Sequence, residues 1–241
     1  MYSTGVLLWR IAKRELEDML SNKRVLFSIL MFVIIWGVIA GPRFVQFGAG
    51  SGISETGIFY MATVLSIYVV MIVSSQAFVN EKRAGRIEAL LCTPVDLRTF
   101  WMGKVGGVVI PGYAAGIVVT VILTIASSVI SGVPGGTGPV LPAAPLLFYV
   151  LFALPVVLAA FGGLLGFIQL FFGMRENRIF NLVIFILIFG LLGAAGALAG
   201  GGGMISWAAV GTVLAGACIL FIIDFYLTRF LNKEKIITSL E

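Results

Sequence analysis

Apolar residues run through this chain in stretches of about twenty, separated by short polar segments. A run of that length, placed in hydrocarbon, has no water for its backbone amides, so each amide must bond within its own segment and a helix is forced. A membrane β-barrel would instead alternate apolar and polar residues along shorter strands, and these runs are continuous. Over 241 residues, 60% are hydrophobic, 11% are charged and the mean hydropathy is +1.10. That leaves too little polar surface for a body dissolved in water. The expected class is an all-α polytopic membrane protein, and no polar stretch is long enough for a separate soluble domain.

Six transmembrane helices are expected, over 25–41, 57–79, 105–130, 146–172, 179–199 and 205–228. Each is close to or beyond the roughly 17–20 residues that cross a bilayer. Of the 16 Lys and Arg residues, all but Arg43 then fall on one side. The positive-inside bias puts that side, and both termini, in the cytoplasm, as in a multi-pass plasma-membrane protein. The same bias accounts for the net charge of +5, so no nucleic-acid partner is needed. The domains expected are a helix on the cytoplasmic face over 1–24, a six-helix membrane domain over 25–230 with an elbow at 81–104, and a cytoplasmic tail over 231–241. The first apolar run ends at Gly41-Pro42 without an Ala-x-Ala site, so it reads as an uncleaved span. Residues 131–145 are rich in glycine and proline, and the short 199–203 linker makes the last two spans a hairpin.

Helical periodicity in residues 4–24 places Leu8, Ala12, Leu16, Met19 and Leu20 on one face and Arg10, Lys13, Arg14, Glu17 and Ser21 on the other. Such a helix lies in the membrane interface, against lipid, and can also flank a partner. Gly112 with Gly116, Gly162 with Gly166, and Gly196 with Gly200 are small-xxx-small pairs. They permit close helix approach, either within one subunit or at a dimer seam. Pro111 and Pro155 fall inside expected spans and should bend or interrupt them.

Several chemistries are excluded or disfavoured. The chain has no histidine, which removes the commonest general base. Cys92 and Cys218 belong at different depths and do not form a disulfide or a metal site. No Gly-x-x-x-x-Gly-Lys-[Ser/Thr] phosphate loop is present, so any nucleotide chemistry belongs to another polypeptide. Neither paired acids nor a Ser–His arrangement suggests an embedded enzyme. The polar side chains within spans are few: Gln76, Gln169 and Asp224. The two glutamines suit interhelical hydrogen bonds. Asp224 is an intramembrane acid, a functional candidate by default, and it lies within reach of pairing with Arg229 or Arg178.

The densest polar block is Asn80–Val95. In it Ala84, Ile87, Leu90 and Leu91 form an apolar side, while Lys82, Arg83, Arg86 and Glu88 are charged. Pro94 disfavours helix at Thr93, and a second short segment, Asp96 to Trp101 with Asp96 as N-cap, leads to Gly103-Lys104. The pattern Glu81-x-x-x-Gly85-x-x-Glu88-x-Leu90-Leu91-x-Thr93-Pro94-Val95, then Gly103-Lys104, resembles the signature of the ABC-2 permeases of ABC transporters. The likeness extends over nearly the whole chain, although a large external domain between the first two spans is missing. The resemblance implies a membrane subunit that pairs with a second permease subunit, as a homodimer, and docks a separate ABC ATPase that binds ATP and Mg. It assigns Glu81, Gly85, Glu88, Thr93 and Pro94 to a coupling elbow, with Arg83 and Arg86 on its charged side. It favours export of an amphipathic or hydrophobic substrate. The alternatives are an ATPase-independent secondary transporter or channel, and a scaffold that anchors an ATPase.

Overall fold

The computed structural model describes residues 4–40, 55–79, 97–130, 142–171, 186, 190 and 205–228. Among them there is no strand. The helices are α1 (Thr4–Ser21), α2 (Lys23–Val33, continued by a π-helical Ile34–Ala40), α3 (Glu55–Ser74, continued by a π-helical Ser75–Val79), α4 (Leu97–Ile130), α5 (Ala144–Phe148, a π-helical Tyr149–Ala153 and Leu154–Phe171) and α6 (Trp207–Leu227). Four of these, α3 to α6, are long and apolar enough to cross a membrane, and a fifth crossing is available if the bent α1–α2 pair counts as one. The expected span at 179–199 (apart from Ile186 and Gly190), the loop at 131–141 and the tail lie outside the described residues.

The break between α1 and α2 falls at Asn22, whose φ of −85° and ψ of 89° are not helical. The axes turn by 81° there. The turn keeps its backbone bonds: Asn22 N–H donates to the Met19 carbonyl at 3.1 Å, and Val25 N–H donates to the Asn22 carbonyl at 3.0 Å. The break falls two residues ahead of the expected 24/25 boundary: Lys23 and Arg24 open the second helix, and its apolar run begins at Val25.

At the centre of the bundle is α3. Ala62, Val69 and Val70 have no exposed surface, and Ile58, Phe59, Leu65 and Val73 are buried on other sides of the same helix. Helices α4 and α5 enclose it, and α6 packs on α5. Gly112 and Gly116 make the α3–α4 contact possible. A Cβ on Gly112 would meet the Val70 side chain and lie 3.2 Å from the Ser66 carbonyl. A Cβ on Gly116 would meet the Ser66 hydroxyl and lie 2.7 Å from Leu154 Cδ2. Gly162 likewise faces Val70, Val109 and Val105, and Gly166 faces Phe78 and Trp101. These two pairs are therefore seats within one subunit, which decides the question the spacing left open. The Gly196–Gly200 pair lies outside the described residues.

Two expectations are corrected. Pro111 does not interrupt its helix, since α4 runs unbroken from Leu97 to Ile130. For the same reason there is no separate short helix before Gly103: residues 97–104 are the first turns of α4. Gly103 serves as a contact surface, because a Cβ there would lie 2.9 Å from Ile11 Cβ. At Pro155 the expected interruption is present, as the α-helical pattern of α5 gives way to the π-helical Tyr149–Ala153 just before it. A proline offers no N–H to the carbonyl four residues back, and the Tyr113 hydroxyl approaches that carbonyl, on Leu151, at 3.5 Å.

The outward faces of α2, α4 and α6 are apolar. Phe27, Leu30 and Ile39, then Val121 and Ile125, then Ile219, Ile222 and Phe225 are all at least half exposed. Surface of this extent does not stay in water.

Candidate functional site

Glu81, Arg83, Gly85, Arg86, Glu88, Thr93 and Pro94 lie outside the described residues. The structure does show what stands at the two ends of their segment. Lys104, on the fourth helix, is fully buried. Its Nζ donates to Glu15 Oε1 of α1 at 2.6 Å and to the Ala77 carbonyl of α3 at 2.7 Å. The rings of Phe78 and Phe100 hold the ammonium from two sides, with centroids 5.3 Å and 5.2 Å away. Ala77 belongs to the π-helical turn that leads into residue 80. Lys104 therefore joins three elements at one point, at the root of the polar segment.

The local sequence explains how a lysine reaches that position. Gly103 and Gly107, one turn apart on α4, admit α1: Cβ atoms there would lie 2.9 Å from Ile11 Cβ and 2.8 Å from Glu15 Cβ. With the helices this close, Glu15 falls beside Lys104. The Lys104 ammonium donates across to the Ala77 carbonyl in the π-helical turn of α3. The stripe of α1 that meets protein is Ile11, Ala12 and Glu15, with Met19 partly buried. The face read from periodicity is met at Ala12, which is buried, and at Leu8, Leu16 and Met19, which are half-buried, while Leu20 is exposed. The helix thus packs along α4 as well as presenting an apolar face outward. Sequence reading placed Lys104 among the cytoplasmic-side charges and at the close of the ABC-2-like pattern, not in a buried joint. The signal it passed over was the Gly103–Gly107 spacing, the same spacing that marks Gly112 and Gly116.

The intramembrane polar residues divide. Gln76 is partly exposed in the π-helical turn of α3. Gln169 on α5 is buried, and its Oε1 accepts from the Ser74 hydroxyl at 2.9 Å, an α3–α5 bond of the interhelical kind expected. Its Nε2 has no partner. Asp224 on α6 is buried, and among the described residues neither carboxylate oxygen has a hydrogen-bond partner. Arg178 and Arg229 lie outside the described residues. Trp101 of α4 is buried beside Gly163 and Gly166 of α5, with its Nε1 also unpartnered.

A second polar layer lies at the opposite ends of α3 and α5. The Tyr149 and Thr63 hydroxyls are 2.6 Å apart, with Thr63 also donating to the Phe59 carbonyl. Glu55 Oε1 accepts from Ala143 N–H at 2.8 Å and so ties the start of α3 to the start of α5. No pattern in the sequence singled out these residues. Cys218 is free and exposed on α6, while Cys92 lies outside the described residues. Among the described residues no group of His, Cys, Asp and Glu could hold a metal ion.

No protein-family model and no curated protein sequence matches the chain.

Proposed function

We propose that this chain is the membrane-spanning subunit of an ATP-driven transporter, worked by a separate ATP-hydrolysing partner that docks on residues 80–96. The observation that carries the reading is the Lys104 junction. It clamps the α3 turn on one side of that segment to α4 on the other, and ties both to α1. A push on the segment then moves three helices together and is not lost in a hinge, because a buried charge separated from its partner is strongly penalised. The resemblance of Glu81–Val95 to the ABC-2 signature supplies the kind of partner, an ABC ATPase carrying ATP and Mg. The lysine and arginine bias places this end of the bundle, and both termini, at the cytoplasmic face of a plasma membrane.

Two such subunits, as a homodimer, would enclose a path for an amphipathic or hydrophobic substrate, with export as the direction the resemblance favours. The partner ATPase closes on ATP, the two elbows move, and the helices bound at Lys104 follow. The test is reconstitution with the partner ATPase in proteoliposomes. Glu88→Gln and Pro94→Ala should keep insertion and ATP hydrolysis but lose transport. Wild-type transport by both variants would refute the assignment of the elbow.

The unpartnered Asp224 favours a second reading, a carrier that needs no ATPase. It requires the isolated chain to move substrate without nucleotide, and it fails if transport appears only with the ATPase present.

A further inference from the structure

Four of the five buried side-chain atoms without a hydrogen-bond partner among the described residues are Trp101 Nε1, Gln169 Nε2 and the two oxygens of Asp224. They belong to the same region of the bundle. A single point above Gly163 is 2.9 Å from Asp224 Oδ2 and 3.1 Å from Trp101 Cζ2. One turn further along α5, a point above Gly166 is 2.8 Å from Phe78 Cζ and 3.4 Å from Trp101 Nε1. Asp224 thus stands beside the Trp101 ring, with Phe78 behind it and bare glycine backbone as the floor. Concentration of orphaned polar atoms in one place calls for an explanation, and an absent ligand is a standard one.

The chemistry of the walls selects the ligand. Among the described residues no lysine or arginine forms an ion pair with Asp224. The guanidinium of Arg98 lies instead over the Phe225 ring, 5.3 Å from its centroid. A small inorganic cation needs a shell of several oxygens, and among the described residues no cluster of acids stands with Asp224 to supply one. One acid beside a tryptophan ring suits a diffuse organic cation, which gains from the charge and from contact with the ring. We infer that Asp224, Trp101 and Phe78, over Gly163 and Gly166, form a binding niche for the cationic head of a lipophilic substrate.

The niche is shut in this structure, since Asp224 is only 1% exposed. Opening requires α6 to move away from α5. Ile219, Ile222 and Phe225 leave the outer face of α6 at least half exposed, so α6 is the less enclosed wall. The inference rests on the transporter reading and names its substrate class.

Full-length protein in lipid nanodiscs is titrated with tetraphenylphosphonium, with empty nanodiscs as background and tryptophan fluorescence as a second readout. Saturable binding is expected, weakened on the order of tenfold or more by Asp224→Asn and largely kept by Asp224→Glu. Trp101→Leu, which leaves the acid in place, should weaken binding severalfold and keeps the test decisive if the Asp224→Asn protein does not fold. Triphenylphosphine oxide, a neutral aryl analogue, should not compete, and neither should sodium chloride. Equal binding by wild type, Asp224→Asn and Trp101→Leu overturns the inference. So does competition by triphenylphosphine oxide, which marks mere lipid partitioning, or by sodium, which marks an inorganic cation site. If the niche fails while Glu88 and Pro94 variants still uncouple, the substrate class falls and the transporter reading stands.

Discussion

Lys104 shows how far one side chain's surroundings can depart from its residue type. Lysine is almost never fully buried unless paired, and this one is buried because Glu15, the Ala77 carbonyl and two aromatic rings replace its water. Removing only one partner leaves the other charge stranded, which costs about 3 kcal/mol or more. Lys104→Met should therefore lower the thermal midpoint of the detergent-solubilised protein by several degrees. Glu15→Leu together with Lys104→Met should recover part of that loss. A double-mutant cycle on the midpoint measures the coupling, and simple additivity would show that the pair does not interact. The same cycle read in transport asks whether the joint conducts force, because an apolar replacement that restores stability need not restore coupling.

At the level of helices, the packing depends on where side chains are missing. The crossing of α3 and α4 exists because Gly112 and Gly116 lack a Cβ, which would otherwise meet Val70, Ser66 and Leu154. Gly116→Ala forces atoms into an already filled contact and should destabilise by about 1–3 kcal/mol. Gly211→Ala on the exposed side of α6, where nothing lies within 4 Å, should stay within about 0.5 kcal/mol of wild type. Comparing the thermal midpoints of the two variants separates a packing role from a general dislike of alanine, and equal effects would refute it. The sequence made the glycine pairs visible as close-approach motifs. It did not show which helix each pair would meet, because that depends on partners distant in the chain. Gly103 was open to the same misreading: it looks like a break before a span, yet α4 continues through it because Ile11 fills the space.

For the whole molecule, the topology assignment is directly testable with the two native cysteines. Cys92 lies in the polar segment and Cys218 is free on α6. In the Cys218→Ser protein, a membrane-impermeant maleimide should label Cys92 in inverted vesicles and leave it unlabelled in right-side-out ones. The reverse pattern would place the segment outside and remove the docking reading with it. The sequence by itself determined that the chain is helical and span-forming, because runs of apolar residues leave the backbone no other way to satisfy its amides. It also determined the amphipathic character of the first helix, since charged and apolar residues alternate there at helical spacing. Only the tertiary structure decided that Lys104 is a buried three-way joint and that Asp224 stands unpartnered beside Trp101. Both outcomes depend on helices far apart in the chain meeting at glycines, and periodicity along one helix carries no record of what lies across from it.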